Sequence, residues 1–141
     1  MSAPSNHRSR RRGLAAVELA LILPAMIPIV LLCVDFGRYA YTYVAVANAA
    51  RAGAGYASTH QFTTSTQPLW EYNTRQTILE EMEPAFDESK IDVQPLEIQT
   101  EANGLRRVTV EVSYPFELLI DWFGWGSSVT LRKTVVMRII L

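Results

Sequence analysis

An α+β class is predicted by this sequence: a long N-terminal transmembrane helix, then a small domain with one helix and an antiparallel sheet of three or four strands. Three observations carry it. Leu14 to Val34 is a run of 21 residues, LAAVELALILPAMIPIVLLCV, with the single charge Glu18, and an Ala-rich stretch of helical character continues it to about Tyr56. Leu69 to Met82 suits an amphipathic helix, with Ile78, Leu79 and Met82 at helical spacing before Pro84. After Ile91 the helical period gives way to alternation, clearest where Val108, Val110, Val112 and Tyr114 interleave with Arg107, Thr109, Glu111 and Ser113. The chain then divides into a basic leader (1–13), a transmembrane helix and helical spine (14–57) and an exported α+β domain (58–141).

The apolar run is long enough, at about 1.5 Å per residue, to cross a hydrocarbon core of roughly 30 Å as a helix. Asp35, Gly37 and Arg38 end it, and Tyr39, Tyr41 and Tyr43 follow where an interfacial aromatic belt would lie. Arg8, Arg10, Arg11 and Arg12 abut its other end. Lys and Arg beside a span favour the cytoplasmic side, so the N-terminus is expected inside and Asp35 onward outside. Residues 35–141 carry nine Lys or Arg against 13 Asp or Glu, a net −4. Orientation accounts for the four arginines, so membrane lipid is an expected partner and nucleic acid is not. Pro24 and Pro28 share a face inside the span; membrane helices tolerate such kinks where neighbours satisfy the freed carbonyls.

Glu18 is out of place in this run. A carboxylate deep in a bilayer costs roughly 2.5 kcal/mol or more, which is met by snorkelling, by protonation or by a paired charge. It stands five residues after Gly13, behind an arginine-rich leader. Glycine, four residues and glutamate at the head of an apolar helix resembles the type IV prepilin processing site. The continuation through Phe36-Gly37-Arg38 and Asn48-Ala49-Ala50-Arg51 resembles the TadE/TadG-like family, the pilin-like minor proteins of the tight-adherence (Flp, type IVc) pilus system. The resemblance covers about residues 10 to 57. It implies a pseudopilin of the bacterial inner membrane, cut by the prepilin peptidase between Gly13 and Leu14 and packed against other Tad subunits and the assembly machinery. It also implies that Glu18, fifth in the processed chain, pairs with the α-amino group of a neighbouring subunit. The family usually places Phe or Tyr after the glutamate; here Leu19 keeps an apolar residue. The main Flp pilin of the family is little more than the helix, so the added domain points to a minor subunit. The alternative is an uncleaved bitopic anchor presenting a binding or scaffold module outside the membrane.

Three other readings of the N-terminal half fail. The lone Cys33 cannot form an intramolecular disulfide, and Leu32 before it is not the small residue a lipoprotein site needs. The run exceeds the usual roughly 7–15 apolar residues of a secretory signal peptide. The small residues at Ala45-Val46-Ala47 lie beyond Asp35 and Arg38, too far from it for signal peptidase.

Further along, residues 1–12 read as a disordered polar leader, Gly53 and Gly55 as the fraying or capped end of the spine, and 58–68 as a polar loop. Pro95 interrupts a strand over residues 91–98, which favours an edge. Asn103-Gly104 is a hairpin turn, followed by strands over 106–114 and 129–140. Between those strands the LLIDWFGWG stretch (118–126) reads first as core that seals the sheet, and second as an exposed patch for a partner or membrane.

No catalytic constellation is visible. The two histidines stand at 7 and 60, and no Ser/His/Asp set, Cys/His pair or phosphate-cradling glycine loop accompanies them. Glu80, Glu81 and Glu83 point in different directions from one helix and read as a solvated face. No enzyme activity, metal or cofactor is expected.

Overall fold

The computed structural model of the chain describes residues 7–82, 86–102, 104–121, 124 and 127–139. They fall into two compact units, Met1–Gly37 and Arg38–Leu141.

The first unit is helical. Helix α1 (His7–Thr59) supplies all of its described residues and continues into the second unit. The helix begins inside the leader, at His7, where a disordered segment was expected. Arginine is a good helix former, and an existing helix extends at little cost once nucleated. Pro24 and Pro28 lie inside α1 without ending it. Every residue from Gly13 to Val30 is exposed, Leu14 by 72% and Leu21 by 74%. A helix this apolar on all sides is stable only where lipid or other protein surrounds it. It is the one helix among the described residues that is long and apolar enough to cross a membrane.

The second unit holds the distal part of α1, helix α2 (Gln67–Met82), a 3-10 turn (Glu88–Lys90) and four strands: β1 (Asp92–Val93), β2 (Glu97–Thr100), β3 (Arg106–Glu117) and β4 (Ser128–Arg138). All pairings are antiparallel to β3. Thr109 pairs with both Glu97 and Val136, and Val112 with both Val93 and Lys133. β1 and β2 therefore lie end to end along one side of β3, with β4 along the other. Pro95 falls in the gap between β1 and β2, where its missing N–H removes no ladder bond. The α+β class and the four-stranded antiparallel sheet agree with the alternation read in the sequence.

The inner face of the sheet is the one the alternation predicts. Val108, Val110 and Val112 are fully buried and meet Met137, Val135 and Lys133 across the ladder. Against them pack Val46, Ala49, Ala50, Ala54 and Ala57 of α1 and Trp70, Ile78, Leu79 and Met82 of α2. Leu69 and Tyr72 of α2 face outward, as do Glu80 and Glu81; Glu83 lies outside the described residues. On the outer face Glu111 accepts from Thr134 at 3.0 Å and pairs with Arg132 at 3.2 Å.

Four expectations need correction. Gly53 and Gly55 do not end the spine: α1 runs to Thr59, where the hydroxyls of Ser58 and Thr59 donate to the Gly55 carbonyl at 2.9 and 3.0 Å and satisfy a terminal acceptor. β3 does not stop at Tyr114 but continues to Glu117, because Pro115 falls past the last β1 pair, where β4 is its only neighbour. The last strand is Ser128–Arg138, with Ile139 past its end, while Ile140 of the expected strand lies outside the described residues. The stretch after β3 does not seal the core over its described part, for Leu119 is 54% exposed and Ile120 38%. Trp122, Phe123, Trp125 and Gly126 lie outside the described residues, as does Asn103 of the predicted turn. Gly104 of that turn adopts φ +81°, a conformation open to glycine, and donates to the Glu101 carbonyl at 2.9 Å.

Candidate functional site

In the first unit the residues of interest line the start of the exposed helix. Gly13 has nothing within 4 Å of where a Cβ would stand, and Leu14 after it is 72% exposed. Glu18 follows Leu14 by four residues, so the two occupy one face on successive turns. Glu18 is exposed between Val17 and Leu19, themselves 59% and 61% exposed, and no described residue pairs with it. A carboxylate on an all-apolar surface needs either water, a proton or a partner charge. Arg8, Arg10, Arg11 and Arg12 stand on the first turns of α1, with their side chains outside the described part. Phe36 is 69% exposed, and the position beside Gly37 is open.

The remaining motif residues belong to the second unit, and they do different work. The Arg38 guanidinium lies over the Phe116 ring, 5.3 Å from its centroid, and the Arg38 carbonyl accepts from Thr42 Oγ1 at 2.9 Å. Asn48 and Arg51 face outward, with the guanidinium donating to Asn48 Oδ1 at 3.4 Å. Ala49 and Ala50 point the other way and are completely buried. The Asn-Ala-Ala-Arg block is thus read by two faces of one helix. Its small residues bring α1 onto the sheet and α2, while its polar residues remain available outside.

Two positions escaped the sequence reading. At Gly53 the two helices come close: a Cβ there would run into Ile78 Cγ1 and stand 2.7 Å from Ile78 Cδ1. Phe116 meets Arg38 and also stacks edge-on against Tyr39, with centroids 5.7 Å apart. Tyr41 stacks on Phe86 at 5.8 Å, and Phe86 on Tyr114 at 5.3 Å. The tyrosines expected in a lipid belt therefore also hold the domain, though Tyr41 stays 62% exposed. A signal for Phe116 existed in the aromatic character of residues 114–116; its partners, some 75 residues earlier, were not visible. A shallow cavity of about 280 Å³ opens beside these residues, lined by Arg38, Tyr41, Phe86, Lys90 and Glu117. Lys90 donates to Glu117 at 3.0 Å, and that carboxylate raises the Lys90 pKa above its ordinary value.

Residues 13–55 match the model of a family described as TadE-like protein. The match begins at the glycine of the processing-type motif and runs to the end of the small-residue block, which bears out the resemblance read from those residues. The family is associated with Tad pilus systems. No curated protein and no solved structure matches the chain.

Proposed function

We propose that the chain is a minor, pilin-like subunit (a pseudopilin) serving assembly of a Tad (Flp, type IVc) pilus, and that the prepilin peptidase cuts it after Gly13. One observation carries this reading: an exposed Glu18, with no partner among the described residues, one turn beyond an open Gly13–Leu14 bond, at the head of the segment that matches the TadE-like family. Cutting there removes the arginine-rich leader and gives Leu14 a new α-amino group. The amine of one subunit and Glu18 of its neighbour then form an ion pair. Each charge alone would be costly in hydrocarbon, and their pairing offsets that cost as the helices pack side by side. The exposed apolar sides of α1 are lipid-facing before assembly and subunit-facing after it. Before assembly the protein resides in the bacterial inner membrane as a single pass, N-terminus inside and the second unit outside. Its partners are the prepilin peptidase, other Tad pilin-like subunits, the assembly machinery and membrane lipid.

The test is the N-terminus of the protein recovered from membranes and from sheared surface fibres. A start at Leu14, lost when the prepilin peptidase is absent, is the expected result. An intact leader in both fractions overturns processing and leaves an uncleaved bitopic anchor with a binding or scaffold module outside. Substituting Glu18→Ala is expected to abolish or strongly reduce incorporation into fibres while membrane insertion is retained, since alanine favours the span more than glutamate does. Normal incorporation of Glu18→Ala would remove the ion pair from the mechanism.

A further inference from the structure

The two edges of the sheet in the second unit are unlike each other. Along one side of β3 stand β1 and β2, two and four residues long, with Pro95 in the gap between them. Short strands and a proline guard an exposed edge, since they leave little backbone in a row for another chain to bond. β4, on the other side, has neither. It runs for 11 residues without proline or glycine, and its register against β3 is unbroken from Arg107 opposite Arg138 to Glu117 opposite Ser128. Among the described residues, β3 is the only strand that pairs with it.

Two hydrogen bonds at the ends of the ladder fix which backbone groups of β4 lie open. Leu118 N–H donates to the Ser127 carbonyl at 2.6 Å, and Ile139 N–H to the Arg106 carbonyl at 2.9 Å. Both pairs extend the register of the two strands, so they belong to the hydrogen-bonded kind, which recurs at every second residue of an antiparallel pair. The odd-numbered residues from Val129 to Met137 therefore bond to β3. The even-numbered ones, Thr130, Arg132, Thr134 and Val136 among them, turn their N–H and C=O groups the other way, to the open edge.

The charged side chains of β4 are all basic. Arg132 and Arg138 stand on the outer face, where Glu111 and Glu101 pair with them at 3.2 and 3.7 Å. Lys133 is turned to the inner face, half-buried opposite the fully buried Val112 and flanked by Leu131 and Val135. No described residue forms an ion pair with it. An ammonium held against an apolar face is costly without a partner charge. Beside an open edge it rejects a strand of apolar residues. It disfavours a second copy of β4 as well, which would bring three further cations and no anion. A strand that sets a carboxylate next to it is favoured, because cross-strand pairs of opposite charge stabilise a sheet and like charges destabilise it.

We propose that the open edge of β4 receives an extended acidic segment of another protein as a fifth strand, with a Glu or Asp of that segment beside Lys133. Backbone bonds to the even-numbered residues supply affinity, and Lys133 supplies selectivity. The inference concerns the second unit alone and holds whether or not the chain is cut after Gly13.

The test uses the full chain in detergent micelles and two synthetic probes with blocked ends: the peptide Thr-Val-Thr-Glu-Thr-Val-Thr and the same peptide with lysine for glutamate. Amide hydrogen exchange read by NMR reports the two sides of β4 separately. In the free protein the amides of Leu131, Lys133 and Val135 are expected to exchange slowly and those of Arg132, Thr134 and Val136 fast. An excess of the glutamate peptide should slow the second set several-fold and leave the first unchanged, whereas the lysine peptide should do neither. Lys133→Glu should exchange these preferences, with slow exchange at Leu131 and Val135 showing that the sheet is intact. Equal slowing by both peptides overturns the acidic occupant, and slowing by neither overturns docking at this edge. Slow exchange of Arg132, Thr134 and Val136 without any peptide, lost as the protein is diluted, overturns the proposal in favour of a second copy of the chain.

Discussion

Gly53 shows why a single residue in α1 sets the spacing of the second unit. Glycine in a helix interior costs about 1 kcal/mol relative to alanine, so its presence calls for a compensating contact. Ile78 supplies it, since a Cβ at 53 would stand 2.7 Å from Ile78 Cδ1 and nearer still to Cγ1. Gly53→Ala is expected to destabilise the unit by about 1–2 kcal/mol net, the overpacking exceeding the gain in helix propensity. Combining it with Ile78→Ala should recover part of that loss, which thermal melts of the single and double variants would read as non-additivity. In the sequence Gly53 reads as a stop signal, because the reason for it lies 25 positions further on and no local pattern points there. Asp87 is a second local case. Its carboxylate accepts from Ser89 Oγ at 2.7 Å and Ser89 N at 3.1 Å, bonds that hold its pKa below the usual 3.8. A depressed acid stabilises the fold fully above its unfolded pKa and loses that contribution as pH falls through its folded one. The 3-10 turn at Glu88–Lys90 should therefore keep its cap down to below pH 3.8. An NMR titration of the Asp87 carboxyl checks this, and Ser89→Ala should move the midpoint upward toward the usual value.

Among the elements, β3 was the most legible and the most instructive where it differed. Its alternation of valines with polar residues appears in the burial from Arg107 to Val112, since a strand half covered by helices needs just that pattern, and it breaks at Ser113, which is buried as well. Val110 is fully buried opposite Val135, whereas Val136 in the neighbouring strand is 54% exposed. Val110→Ala should cost roughly 2–3 kcal/mol, the transfer of two methyl groups plus a residual cavity, and Val136→Ala no more than about 0.5 kcal/mol. Denaturant midpoints of the two variants, at unchanged slope, separate these outcomes. The long apolar helix was equally legible, because a run of twenty-one residues with a single charge admits few other structures. Less legible was what ends an element. Pro115 reads as a strand terminus, yet it is tolerated because β1 has already ended along that edge, a fact of the sheet's topology and not of the local sequence. The same limit applies to Leu118–Asp121, where apolar composition alone could not separate a core plug from a surface loop. Of the candidate site, Gly13, Leu14 and Glu18 were readable because they depend on spacing along one helix. Phe116 and Ile78 were not, because each acts on a residue far away in the chain.

At the scale of the whole molecule, the division at Gly37 and Arg38 does not coincide with the end of α1. The helix serves two environments: an apolar length before the boundary, exposed at every residue from Gly13 to Val30, and a length after it with one face of alanines turned into a core. Cutting the chain at the end of the helix would therefore separate the sheet from part of its own interior. A chain of residues 58–141 loses Val46, Ala49, Ala50, Ala54 and Ala57, which cover Val108, Val110 and Val112. Stability of a small domain is only about 5–15 kcal/mol, and uncovering that face exceeds what it can spare. A chain of residues 38–141 keeps every member of the buried cluster. It is expected to unfold in a single cooperative thermal transition with dispersed amide resonances, whereas 58–141 should show neither. If both chains fold alike, the α1 face is an accessory to the sheet. If neither folds, the unit depends on the membrane segment, and the small residues from Ala49 to Ala57 serve packing in the assembled protein before they serve the isolated domain.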